Sequence, residues 1–153
     1  MPAARDDILI TEFTMDGFPM IHVLWQRAGL WMRPSDGPEA TALKLERDPG
    51  LFLVARDGKG AIVGAVMGGW DGRRAYVYHL AVLPERLREG IGGLLMDELE
   101  ERFRKLGAMK AKLQILTGNE ASRAFFERRG YLYEIDCEPW GKELVEGGAP
   151  PCR

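Results

Sequence analysis

The run Val82-Leu83-Pro84-Glu85-Arg86-Leu87-Arg88-Glu89-Gly90-Ile91-Gly92-Gly93 carries residue types that can hold an anion. It leaves a Tyr- and Val-rich apolar segment and enters a stretch with helical periodicity. At such a junction successive backbone N–H groups have no intrahelical partner, and with the helix dipole they attract phosphate. Glycine at 90, 92 and 93 removes side chains that would block the approach, while Arg86 and Arg88 add charge at the rim. A tight turn that merely needs glycine is the structural alternative. Two familiar phosphate loops do not fit. A P-loop needs Lys and then Ser or Thr after its last glycine, where Leu94-Leu95 stand. A dinucleotide fingerprint needs a third small residue, where Leu95 stands.

The surrounding elements must position this turn. The spacing predicts a strand over 8–13, then a helix over 18–28 with Ile21, Leu24, Trp25 and Ala28 as its stripe and Gly29 as its stop. Residues 30–38 form a loop carrying Trp31, Arg33 and Asp36, and a second helix runs over 38–47 with Pro38 in its first turn. Strands follow over 51–55, 61–70 and 75–83, the last two joined by a two-residue Asp71-Gly72 turn. A long helix spans 90–106, with Ile91, Leu94, Leu95, Leu99, Phe103 and Leu106 on one face and Gly107 at its end. A buried strand is expected over 110–116. A helix then runs to Arg129, capped either by Thr117 with Glu120 or by Asn119. The last strand candidates are 131–137 and 140–144. This order describes an α+β domain: one mixed, mostly antiparallel sheet with helices on both faces. Residues 1–145 read as one domain and 146–153 as a disordered tail.

Composition narrows the function. The 153 residues carry 21 Lys and Arg against 23 Asp and Glu, a formal charge of −2, which argues against a nucleic-acid partner. Two Cys and two His allow neither a disulfide framework nor zinc-site spacing, so no metal is expected. The longest mostly apolar stretch, 61–70, is too short to span a membrane, and the MPAARDD start has no apolar leader. The default compartment is the cytoplasm.

The run Leu80-Ala81-Val82-x-Pro84-x-x-x-Arg88-x-Gly90-Ile91-Gly92 resembles the cofactor motif of the GNAT family of N-acetyltransferases. Asn119, followed by Phe125-Phe126-Glu127-Arg128-Arg129-Gly130-Tyr131, is similar to that family's later Asn-led helix, and the strand meander precedes the motif as the family requires. The ending Trp140-Gly141-Lys142-Glu143-Leu144 resembles a little-characterised bacterial branch, similar in pattern to ribosomal-protein alanine acetyltransferases. The likeness covers about residues 8–144 and implies an acetyl-CoA site. The backbone of Leu80, Ala81 and Val82 would pair with the pantetheine arm. The amides of Arg88, Glu89, Gly90, Ile91, Gly92 and Gly93 would hold the pyrophosphate. Asn119 and Phe126 would lie along the arm, with Arg123 or Arg129 near the nucleotide. A homodimer is compatible with the family.

The pattern also departs from the family. Leu87 replaces the usual Gln or Arg. Phe126 stands where a Tyr often protonates the departing thiolate, and Gln114 where the alanine acetyltransferases carry a base Glu. Replacement groups are sought on the strand before Leu80. Tyr78 and Tyr76 lie two and four positions before it, on its face. His79 is chemically the best base. Parity turns it away, unless the strand is bulged. Tyr133 is a remote acid. Trp31 and Arg33 would wall the acceptor pocket. Trp25, His22 and Cys137 read as structural, with Cys137 a buried small hydrophobe. The expected reaction is direct acetyl transfer to a primary amine of a small molecule, peptide or protein, without a covalent enzyme intermediate. The alternatives are a CoA-binding sensor or scaffold that has lost catalysis, and a binder of nucleotide phosphates.

Overall fold

The computed structural model describes residues 7–146. The chain divides into two compact units at Leu113/Gln114. The first unit holds five strands in the spatial order β1 (Leu9–Glu12), β2 (Phe52–Arg56), β3 (Ile62–Trp70), β4 (Ala75–Val82) and β5 (Ala111–Leu113). The first four pair antiparallel, and β5 runs parallel to β4. The expected mixed α+β sheet is the observed one. A parallel neighbour needs a crossover, and helix α3 (Ile91–Lys105) supplies it.

Helices α1 and α3 follow their apolar stripes. α1 (Phe18–Arg27) buries Ile21, Leu24 and Trp25, and its chain turns off at Gly29, φ +78°. These side chains join Phe13, Phe52, Val54, Ala65, Met67 and Ala81 in one cluster on one sheet face. α2 (Pro38–Arg47) lies on that face too, and its Lys44 binds Asp48 and the Gly68 carbonyl. α3 covers the opposite face with Ile91, Leu95, Leu99 and Phe103. β3 is buried along almost its whole length because helices cover both its faces. Burying a Leu- or Phe-sized side chain contributes about 1.5–3 kcal/mol.

Four expectations are corrected. The β3–β4 connection is a four-residue loop, since Trp70 pairs with Ala75. Asp71 accepts the Arg73 and Arg74 amides at 2.7 and 2.6 Å, and that ring of bonds replaces the tighter turn. β5 is three residues long rather than seven, and Leu116 is exposed. No strand forms at 131–137 or 140–144 among the described residues; Leu132, Ile135, Trp140 and Leu144 are exposed. Cys137 is exposed, not buried.

In the second unit α4 (Glu120–Arg128) is capped by Asn119, whose side chain accepts the Ser122 amide at 3.1 Å. Phe126 is buried there with Phe125 and Tyr131 edge-on to it. The tail expected beyond Glu146 lies outside the described residues.

Candidate active site

Backbone strain collects on β4 and the loop after it. Ala65 faces Ala81 while Met67 faces Tyr78, so two steps along β3 match three along β4. The surplus residue makes a bulge, a device that re-aims side chains. His79 sits inside it with φ +49°. Among the described residues other than glycine, only His79 and Arg88 (φ +66°) take positive φ. Such conformations are held against a local cost and gather at functional sites.

The bulge resets the alternation of β4. His79 is not turned away: like Tyr78 it faces the α1 side of the sheet. Its imidazole meets the fully buried Trp25 ring edge-on, centroids 5.1 Å apart. Its Nε2 lies 2.6 Å from Oδ1 of Asp36. Asp36 comes from the loop between α1 and α2, where Pro34–Asp36 form one 3-10 turn. Its second oxygen accepts the Arg33 backbone N–H at 2.8 Å, so one buried carboxylate joins that loop to the bulge. Burial pushes the Asp36 carboxyl up, but the His79 hydrogen bond, the Arg33 amide and the charges of His79 and Arg33 outweigh it. The carboxyl ends below its usual range.

Tyr76 and Tyr78 stack at 6.2 Å, with Tyr78 half exposed. Burial, with Tyr76 and the Asp48 and Asp71 carboxylates nearby, raises the Tyr78 phenol above its usual value. Tyr78 therefore keeps its proton and can donate it. Trp31 is exposed on the Asp36 loop with the Arg33 guanidinium 6.0 Å from its ring centre.

Two features fit a long phosphorylated ligand beside this cluster. β4 pairs with β5 only from Ala75 to Val77, so the backbone of 78–82, including Leu80, Ala81 and Val82, has no partner strand on that edge among the described residues. And α3 is preceded by Gly90, φ +84°, which caps it without any side-chain hydrogen bond. The N–H groups of its first turn, Ile91 to Gly93, have no intrahelical acceptor. Gly64 lets this turn press onto the sheet: a Cβ there would lie 3.0 Å from Ile91 Cγ2 and 3.2 Å from the Ala81 carbonyl oxygen. The uncapped turn thus sits beside the open part of β4.

The expected rim charge is only partly present. Arg86 is held by Glu89 at 2.7 Å and Asp57 at 3.9 Å, which ties it to the loop itself. Arg88 is exposed and enters no ion pair among the described residues. Asn119 and Phe126 belong to the second unit, where one caps α4 and the other is buried. Tyr133 and Arg123 pair there in a cation–π contact at 6.0 Å, and Arg129 lies 5.9 Å from the Phe125 ring centre. Asp36 was not anticipated. The sequence marks it only as a loop carboxylate, and nothing in a 43-residue separation announces its partner.

No described group of His, Cys, Asp and Glu could hold a metal ion, and no described helix is long and apolar enough to cross a membrane. Residues 14–131 match the sequence model of the acetyltransferase (GNAT) family. An acetyltransferase of Pectobacterium atrosepticum is 39% identical over 138 residues, covering 90% of this chain and 96% of that protein. One of Sodalis glossinidius is 36% identical over the same length, with the same coverages. The fold matches the PaiA N-acetyltransferase of Thermoplasma acidophilum, solved in complex with coenzyme A. The TM-score is 0.71 at 18% identity, over 80% of this chain and 87% of that one. It also matches the ribosomal-protein alanine N-acetyltransferase of Escherichia coli, TM-score 0.65 at 20% identity, over 80% of this chain and 76% of that one. The family match spans most of the chain and the two relatives nearly all of their length, so this protein is a member of the GNAT family of acetyltransferases.

Proposed function

We propose that the protein transfers acetyl from acetyl-CoA directly to a primary amine. The observation that carries this reading is the open backbone edge of β4 at 78–82 beside the uncapped start of α3. The first suits an amide-bearing pantetheine arm, which can bond to it as an added strand. The second suits a pyrophosphate, and Arg88 can neutralise part of its charge.

Only a neutral amine attacks a thioester. An α-amine is about a tenth neutral at pH 7, whereas a lysine amine is neutral about once in 2,500, a cost near 4.6 kcal/mol. A base in the site lowers that cost. His79 takes a proton from the acceptor ammonium, and the freed lone pair attacks the carbonyl carbon, forming the C–N bond. Backbone N–H groups near Val82 polarise the carbonyl oxygen. The C–S bond breaks as the adduct collapses. The thiolate takes the second nitrogen-bound proton, relayed through the Tyr78 hydroxyl, and the His79 proton passes to solvent. Trp31 and Arg33 wall the acceptor side. Holding amine and thioester in contact can itself supply about 7–11 kcal/mol.

The test is release of CoA thiol from acetyl-CoA with an alanine-led tripeptide, Nα-blocked lysine and spermidine as acceptors, each product weighed by mass spectrometry. We expect an acetyl-sized mass gain on at least one. Tight acetyl-CoA binding with no acetylation of any would favour the sensor reading instead.

A further inference from the structure

The pairing of part-buried His79 with buried Asp36 makes a more specific arrangement than amine acetylation by itself requires. Three constraints converge on one imidazole. The bulge sets its backbone at φ +49°, the Trp25 ring closes one side at 5.1 Å, and Asp36 holds Nε2 at 2.6 Å. Asp36 is in turn fixed by the Arg33 amide at 2.8 Å and is 5% exposed. An ionised carboxylate only accepts hydrogen bonds, so the nitrogen facing it must carry hydrogen. In the neutral ring the lone pair is then on Nδ1.

We propose that Asp36 is a positioning residue. Its carboxylate locks His79 as the Nε2–H tautomer, and so makes Nδ1 the nitrogen that accepts the proton of the acceptor's ammonium. This rests on the amine-acetyltransferase reading above. The proton moves from the ammonium nitrogen to Nδ1, leaving a neutral amine and an imidazolium whose Nε2–H stays on Asp36. The carboxylate stabilises that imidazolium and does not itself become protonated, the role the Asp has in a Ser-His-Asp triad. Because Asp36 also holds the Arg33 backbone, the loop bearing Trp31 and Arg33 and the base share one anchor.

The informative change is Asp36→Asn. The side-chain oxygen of Asn can still accept the Arg33 amide, but its NH2 then faces His79 and donates. Nε2 must accept, hydrogen moves to Nδ1, and the base nitrogen becomes a donor. The chain has two histidines, His22 and His79, so nitrogen-15 spectra of labelled protein resolve the rings, and His22→Gln assigns them. We expect the Nε2–H form of His79 in the wild type and the Nδ1–H form in Asp36→Asn. With whichever of the three amines is turned over, kcat should fall at least tenfold, toward the 10²–10⁴ that a positioned base supplies. KM for acetyl-CoA should stay within twofold. Combined with His79→Gln, Asp36→Asn should lower kcat no further than His79→Gln alone, because both remove one function.

An Nδ1–H wild type, or two substitutions whose effects multiply, would overturn the proposal. If Asp36→Asn unfolds, the wild-type tautomer and the His79→Gln rate still decide it: an Nδ1–H ring, or His79→Gln at wild-type rate, refutes it. If no amine is acetylated, the functional reading fails, while the spectra still report whether Asp36 sets the ring.

Discussion

Adjacent glycines in β3 face opposite sides of the sheet, and the same substitution at each should have opposite consequences. A Cβ at Gly68 would lie 2.6 Å from Leu99 Cδ1 and 2.9 and 3.0 Å from two Phe103 ring carbons. Leu99 and Phe103 lie on the buried face of α3, so neither can swing away and the helix itself must move. Overpacking of this kind costs about 1–3 kcal/mol, and replacing a strand glycine returns about 0.5–1 kcal/mol. Gly68→Ala should therefore lose about 1–2 kcal/mol, lowering the melting temperature by about 2–8 °C for a chain of this length. At Gly69 the Cβ meets Tyr78 Cε2 at 3.1 Å, and Tyr78 is 47% exposed and free to move. Gly69→Ala should melt within about 2 °C of wild type, yet reduce turnover severalfold because it displaces the Tyr78 ring. Scanning calorimetry and the thiol-release assay on both variants measure the split. Gly68→Ala melting at or above wild type, or Gly69→Ala proving the less stable of the two, would refute the packing argument.

Three further outcomes are expected. Tyr78→Phe should lower kcat at least tenfold with acetyl-CoA affinity nearly unchanged in calorimetric titration, since only the hydroxyl is lost. Gly92→Asp should abolish acetyl-CoA binding in the same titration, because a carboxylate would enter the first turn of α3, the place proposed for the pyrophosphate. The Asp36 carboxyl titrates below its ordinary value in the folded chain, so its stabilising contribution is present above about pH 4. That contribution is lost as pH falls through the lowered folded value. The melting-temperature gap between wild type and Asp36→Asn should accordingly close below about pH 4, and a gap that widens there would contradict the sign.

Helices α1 and α3 were legible in the sequence because each carries its own apolar stripe and stop. Ile21, Leu24 and Trp25 are buried as their spacing implies, and Gly29 and Gly107 turn the chain at positive φ. The glycine-rich start of α3 was legible for the same reason: the residue types state the backbone they need. The bulge at His79 was not, because register is a property of two strands and neither carries a mark of it. Strict alternation therefore placed His79 on the wrong face, and only the allowance for a bulge kept it among the candidates. The Asp36–His79 bond joins a loop to a strand, and no local pattern encodes it. Arg86 was expected at the phosphate rim and is instead bound by Glu89, the residue three positions on. Residues 131–144 have the alternating apolar character of strands, yet pattern alone makes no strand where no neighbouring backbone pairs with it.

The central claim is that β4 and the start of α3 form an acetyl-CoA site. A thermal-shift series on the wild-type protein with acetyl-CoA, CoA, ATP and NAD tests it most directly. A ligand at 100 times its Kd stabilises by about 2.7 kcal/mol, or about 5–10 °C here. The account predicts that shift with acetyl-CoA and CoA and none of that size with ATP or NAD. No shift with acetyl-CoA, or an equal one with ATP, would contradict it.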